Sequence, residues 1–202
     1  RGRGVVEAID RRELVEEMGH LLRTSISKKA SLNLQLSAGL PLIEADASQV
    51  RQVVMNLVLN ASEALDESGG VIALVTGVQD CNGEFLRSTY LAEELPEGRY
   101  VYLEVSDSGC GMDAETRRRL FEPFFTTKFA GRGLGLAAVL GIVRGHRGAL
   151  TVESEPGRGA TFKIFFPSLA PAPAASPRPH RPAAAWSGSG ATVLLVDDEE
   201  PI

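Results

Sequence analysis

The sequence predicts an α/β domain followed by a short non-globular appendage. Three observations carry that expectation: a long apolar helix over residues 46–67, strand-like segments before and after it, and a sharp change of composition after Pro167. At 202 residues, with 44% hydrophobic and 23% charged residues, the chain can bury one core of ordinary size. A formal charge of -5 argues against nucleic acid or an anionic membrane as the main partner, although basic clusters at residues 117–119 and 128–132 are suited to hold phosphate. The two cysteines, Cys81 and Cys110, make neither a disulfide framework nor a metal-spaced motif, and a reduced, cytoplasmic setting is the simplest reading. No apolar run approaches the ~20 residues of a membrane span and no signal peptide opens the chain, so no direct membrane contact is expected of this segment.

Taken in order, residues 5–9 read as a short strand. The stretch after it reads as a helix, with Asp10 and Glu13 spaced as a capping box and Leu14, Val15, Met18, Leu21 and Leu22 as its apolar stripe. Residues 31–37 alternate apolar and polar side chains as a half-buried strand, closed by Gly39 and Pro41. The helix over 46–67 follows, with Asp46 and Gln49 again spaced as a capping box. At about 100° per residue, Gln49, Gln52, Asn56, Asn60 and Glu63 fall in one stripe roughly 60 to 80° wide. Val50, Val53, Val54, Leu57, Val58, Ala61, Ala64 and Leu65 fill the face beside it. A helix this apolar is largely buried, so its amides and carboxylate need partners or cost about 1–3 kcal/mol per unsatisfied group. A bound hydrated ligand would supply them, as would neighbouring backbone or water.

Residues 70–79 read as a strand, and 80–98 as a loop or hairpin insertion with too little pattern to assign. Residues 99–105 form a strand that delivers Asp107 to its C-terminal end, followed by the tight turn Asp107-Ser108-Gly109-Cys110-Gly111. A short helix over 113–120 leads into Phe121-Glu122-Pro123-Phe124-Phe125, and Gly131-Arg132-Gly133-Leu134-Gly135-Leu136 opens a helix reaching about His146. A glycine-rich turn feeding a helix N-terminus is suited to phosphate oxygens, though most short glycine motifs are ordinary turns. Residues 149–154 and 160–166 read as paired strands. Residues 168–190, rich in Pro, Ala, Ser and Gly, form a semi-extended linker that cannot build a core, and 191–202 begin a second unit with a buried-type strand.

Four of these stretches, in this order, resemble the ATP-binding catalytic domain of sensor histidine kinases, within the superfamily of gyrase, the Hsp90 chaperones and MutL. Asn56-Leu57-Val58-Leu59-Asn60-Ala61 resembles the N box, residues 107–111 the G1 box, residues 121–125 the F box and residues 131–136 the G2 box. The resemblance spans about residues 5–167. It implies an α/β (α+β) sandwich of the Bergerat type, a mixed β-sheet packed on one face by helices, with ATP between the long helix and a mobile lid. Asn60 matches the magnesium-coordinating asparagine, as oxygen donors suit Mg²⁺. Asn56 is implied to face the same cavity and help hold the phosphates; where ATP-hydrolysing relatives carry a water-activating glutamate, this amide points to transfer instead of hydrolysis. Glu63 reads as a metal-shell or a surface carboxylate.

Asp107 matches the acceptor of the adenine amino group, and Gly109 and Gly111 let the backbone pack against the base. Gly131, Arg132, Gly133, Leu134, Gly135 and Leu136 resemble the phosphate-binding turn, with Lys128 and Arg132 as its candidate cations. Asn56, Asn60 and Lys128 form the implied catalytic set, and Thr161 matches a position near adenine. Phe121, Phe124 and Phe125 are expected to anchor the lid by packing.

His20 stands in a stretch that superficially resembles a phosphoacceptor box but lacks its acid and proline, so it reads as structural; His146 reads as a residue of a helix cap, where a cation suits the dipole. The acceptor histidine is expected on an upstream dimerisation domain of the same protein, as in a homodimeric kinase. Val193-Leu194-Leu195-Val196-Asp197-Asp198-Glu199 resembles the first strand of a receiver domain, which implies a hybrid kinase relaying phosphate to a receiver aspartate. An ATPase of the same superfamily and a nucleotide-binding regulatory module are the alternatives.

Overall fold

The computed structural model describes residues 7–9, 19, 22–65, 69–91, 95–127 and 133–169. Most of the expected first helix, His20, Lys128, Gly131, Arg132, the linker and the receiver-like tail lie outside the described residues.

Five strands form the main sheet, in the order β2 (Ala30–Gln35), β4 (Gly70–Cys81), β5 (Gly98–Asp107), β7 (Ala160–Pro167) and β6 (Ala149–Ser154). β2 runs parallel to β4 and the other pairs are antiparallel, so the sheet is mixed. β1 (Glu7–Ile9) pairs separately with β3 (Ile43–Ala45), with Ala8 opposite Glu44. The sequence pattern misses β3 because three residues show no periodicity; pairing with β1 and a bridge from Ile43 to Ser168 hold it. Hydrogen bonding also continues past Pro167, where Ser168 donates its N–H to Arg99 O and Leu169 to Leu42 O.

The long helix α1 (Ala47–Ala64) begins after Asp46, whose carboxylate accepts from Ser48 N at 2.8 Å and Gln49 N at 3.2 Å. The Ser48 hydroxyl and then the Gln49 N–H hold the Asp46 carboxyl below its ordinary range. The helix ends three residues earlier than expected, at Ala64, with Leu65 already extended. Val50, Val53, Val54, Leu57, Val58 and Ala61 are buried with Val139 and Val143 of α4 (Gly135–Gly145) against Ile72, Leu74, Leu103, Val105, Phe162 and Ile164 of the sheet. Each such aliphatic side chain contributes about 1.5–3 kcal/mol by burial, and this face fixes the rotation of α1 and hence the direction of its polar stripe.

The unassigned insertion contains a helix, α2 (Gly83–Arg87), capped by Asn82 through Phe85 N at 2.8 Å. Its Leu86 joins Cys81, Tyr100, Ala149 and Phe165 in a second apolar cluster, and Phe85 meets Phe165 edge-on at 5.2 Å. Along β7, Phe165 alternates with Ile164 and Phe166 of the first cluster. α2 therefore covers part of the sheet face opposite α1 and α4. Burial pushes the Cys81 thiol up to about 11.

Candidate functional site

β5 carries Asp107 to the end of the sheet, opposite Ile72 of β4 and one residue past the last pairing with β7, Ser106 to Thr161. The turn that follows is bound on three sides. Ser108 N donates to Val71 O at 3.1 Å and its Oγ accepts from Val71 N at 3.0 Å. Cys110 N donates to Ala64 O at 3.1 Å, and Cys110 O accepts from Gly157 N in the β6–β7 hairpin at 2.7 Å. Ser154 joins the two segments again, since its Oγ accepts from Met112 N at 2.9 Å and donates to Gly159 O at 2.8 Å. Within the turn, Asp107 Oδ1 accepts from Gly109 N at 2.8 Å.

The two glycines also stand close to protein backbone. A Cβ at Gly109 would meet the Ala64 carbonyl of α1, and one at Gly111, where φ is +65°, would meet the Glu155 carbonyl of the hairpin. Protein backbone by itself leaves no room for a side chain at either residue.

A cavity of ≈ 680 Å³ opens beside this turn. Asn60 and Glu63, one turn apart on α1, line it together with Asp107 and Gly111, and Gly133, Leu134, Gly135 and Leu136 line it from the start of α4. The fold therefore brings together the acid at the strand end, the amide and carboxylate of α1 and the second half of the glycine-rich turn. α4 starts at Gly135 with no side-chain cap at Leu134, so a helix N-terminus bordering the cavity is suited to anion oxygens.

Three expected members, Gly109, Asn56 and Thr161, are not among the residues that line it. Asn56 does not line the cavity: its Nδ2 donates to Gly135 O at 3.3 Å, and the amide ties α1 to α4. Thr161 lies on the other side of β7, in a recess with Arg117, Glu153 and Arg158, because side chains alternate along a strand. Its neighbours Ala160 and Phe162 line the cavity instead. The parity of β7 relative to core residues Ile164 and Phe166 could have found them. Met112, Thr116, Leu120 and Thr127 also line the cavity; they stand between or beside the matched boxes, where no pattern singles them out.

The three phenylalanines divide. Phe121 packs half-buried against the core, Phe125 lines the cavity with the Arg119 guanidinium 4.3 Å from its ring centroid, and Phe124 is 76% exposed at φ +68°. The packing expectation thus fails for Phe124, whose N–H is held by Gly133 O at 2.9 Å while its side chain turns outward. His146 is the C-cap of α4, and it accepts the Asp46 N–H at Nε2, 3.0 Å away, with Nδ1 2.8 Å from Ile142 O. These contacts make His146 a hydrogen-bonded link between the C-terminus of α4 and the cap of α1.

The fold and this cavity define a nucleotide-binding domain in which a long helix and a strand-end acid face a glycine-rich helix start. Residues 45–170 match the family described as Histidine kinase-, DNA gyrase B-, and HSP90-like ATPase, and the chain belongs to that family. It is 36% identical over 206 residues to the sensor kinase CckA of Brucella abortus (strain 2308), covering 97% of this chain and 21% of that protein. It is 35% identical to the sensor histidine kinase ZraS of Klebsiella oxytoca, covering 80% of this chain and 31% of that protein. Full-length ShkA, crystallised in complex with AMPPNP, superposes with a TM-score of 0.63 at 27% identity over 84% of this chain and 32% of that one. The chain thus spans between a fifth and a third of the length of these curated relatives. Among the described residues no helix is long and apolar enough to cross a membrane.

Proposed function

We propose that this chain is the catalytic, ATP-binding part of a cytoplasmic hybrid sensor histidine kinase. It passes the γ-phosphoryl group of ATP to a histidine on a dimerisation domain of the same protein, for relay to a receiver aspartate, and the full-length protein works as a homodimer. The observation that carries this is the convergence of Asp107, Asn60, Glu63 and the start of α4 on one cavity. The receiver-like stretch at residues 193–199 supports the hybrid arrangement, and the match to CckA, which covers 97% of this chain, extends beyond the catalytic domain into that tail.

In this reading the Asp107 carboxylate accepts a hydrogen bond from the adenine amino group, a donor that guanine lacks at that position. The N–H groups at the start of α4 take the phosphates, with Lys128 and Arg132 adding charge. Mg²⁺ fits the donor set, because Asn60 and Glu63, one turn apart on α1, offer oxygen to the same cavity. When bound, it would neutralise phosphate charge. The incoming imidazole nitrogen forms a bond to the γ-phosphorus as the bond to the β,γ-bridging oxygen breaks; its electron pair leaves with ADP and the imidazole proton goes to solvent. Asn56 is an amide with no basic carboxylate, and its Nδ2 donates to Gly135 O, which favours a delivered nucleophile over activated water.

The test supplies this chain with a histidine-bearing dimerisation domain and γ-labelled ATP. Acid-labile, base-stable label on that domain is the expected result. Phosphate release without labelling would mark an ATPase, and ATP binding with neither would mark a regulatory module.

A further inference from the structure

The segment between β4 and β5 crosses from one layer of the domain to the other. Leu86 of α2 is buried in the cluster on the far sheet face, while Leu91, five residues on, is buried in the main core. Between them the chain passes over the outer edge of the sheet, where Tyr90 N donates to Leu150 O of the edge strand β6 at 2.9 Å. The Tyr90 side chain then reaches the run that builds one wall of the cavity. Its ring meets Phe121 edge-on, with centroids 5.0 Å apart and planes at 73°, and its hydroxyl donates to Arg117 O at 3.2 Å. Arg117 belongs to α3 (Ala114–Arg119), and Leu120 and Phe125 of the same run line the cavity. Burial pushes the Tyr90 hydroxyl above its ordinary pKa, so the proton for that hydrogen bond stays in place at neutral pH.

We propose that Tyr90 is a positioning residue for the nucleotide site, using the strap over β6 to pin the α3–Phe121 root of the lid-side wall at the height where Leu120 and Phe125 face the ligand. The proposal rests on the nucleotide reading of the cavity. Tyr90 itself is absent from the cavity lining, so its effect on the ligand passes through Phe121 and Arg117.

The 202-residue chain is titrated calorimetrically with a non-hydrolysable ATP analogue and Mg²⁺, as wild type, Tyr90→Phe, Tyr90→Ala, Phe121→Leu and the Tyr90→Ala/Phe121→Leu pair. Tyr90→Ala is expected to weaken binding by about tenfold, within the range of coupling through packed side chains. Tyr90→Phe keeps the ring and is expected to rescue binding to within about threefold of wild type. The double variant is expected to bind no more weakly than Tyr90→Ala, because both changes release the same root. Binding by Tyr90→Ala within twofold of wild type, or full additivity in the double variant, overturns the proposal. If Tyr90→Ala does not fold, Phe121→Leu decides: at least a twofold loss supports the proposal, and wild-type affinity overturns it. A wild-type chain that binds no analogue overturns the nucleotide reading itself, and the role of Tyr90 with it.

Discussion

The two ends of the cavity are built differently. At the Asp107 end, backbone hydrogen bonds from α1, β4 and the β6–β7 hairpin converge on one turn, and Ser154 bridges two of the segments. At the lid end, the wall is joined by Phe124 to Gly133 and by Asn56 to Gly135, while Phe124 and Leu134 expose 76% and 45% of their surface. One end holds its shape before a ligand arrives; the other is fixed at its root, where Tyr90 meets Phe121 and Arg119 covers Phe125. On the function proposed above, this suits a site that recognises one base in a set geometry yet admits a second domain to the phosphates.

Four perturbations would break or sharpen that contrast. The largest effect is expected for Gly111→Ala, which places a side chain at positive φ against the Glu155 carbonyl and should lower stability by about 2–4 kcal/mol in a chemical melt. A loss below about 1 kcal/mol would mean that the turn is less tightly held than its hydrogen bonds suggest. Next, Asn60→Ala should weaken Mg²⁺–ATP by about tenfold while leaving adenosine within about twofold, separating the phosphate end from the base end in one titration pair. Phe124→Gly should leave stability unchanged or raise it by about 0.5–1 kcal/mol, since an exposed side chain is removed and a positive φ is relaxed; a clear loss would reveal packing at the lid end.

The smallest effect concerns acid. The folded-state carboxyls of Asp46 and Asp113 are both held below the ordinary value, Asp46 mainly by the Ser48 hydroxyl and Asp113 mainly by the Thr116 N–H. Their contribution is present above the unfolded pKa and is lost as pH falls through the folded one. Melting temperature should therefore drop as pH falls below about 4, and Asp46→Asn should flatten that slope. An unchanged slope would assign the acid sensitivity elsewhere.

What could be read in the sequence follows these physical lines. α1 was legible because its apolar face is continuous from Val50 to Ala61, and that face alone rotates Asn60 and Glu63 towards the cavity. Asp107 was legible because a strand ending in an acid and a tight turn marks its own boundary. The surroundings of Asn56 and Thr161 are not legible for separate reasons: helical periodicity gives a stripe but not that Asn56 turns to Gly135, and one residue of register on β7 sets Thr161 apart from Ala160 and Phe162. The strap at Tyr90 left no local signature, because its partners lie 27 and 31 positions away in sequence, at Arg117 and Phe121.

The most direct measurement is calorimetric titration of the chain with ATP and with GTP in Mg²⁺, for wild type and Asp107→Asn. The account predicts that wild type prefers ATP and that the variant loses about tenfold or more of its ATP affinity together with the preference, the scale of a lost hydrogen bond to a charged group. ATP binding that is absent in wild type, or equal in wild type and variant, would contradict the assignment of Asp107 and of the cavity built around it.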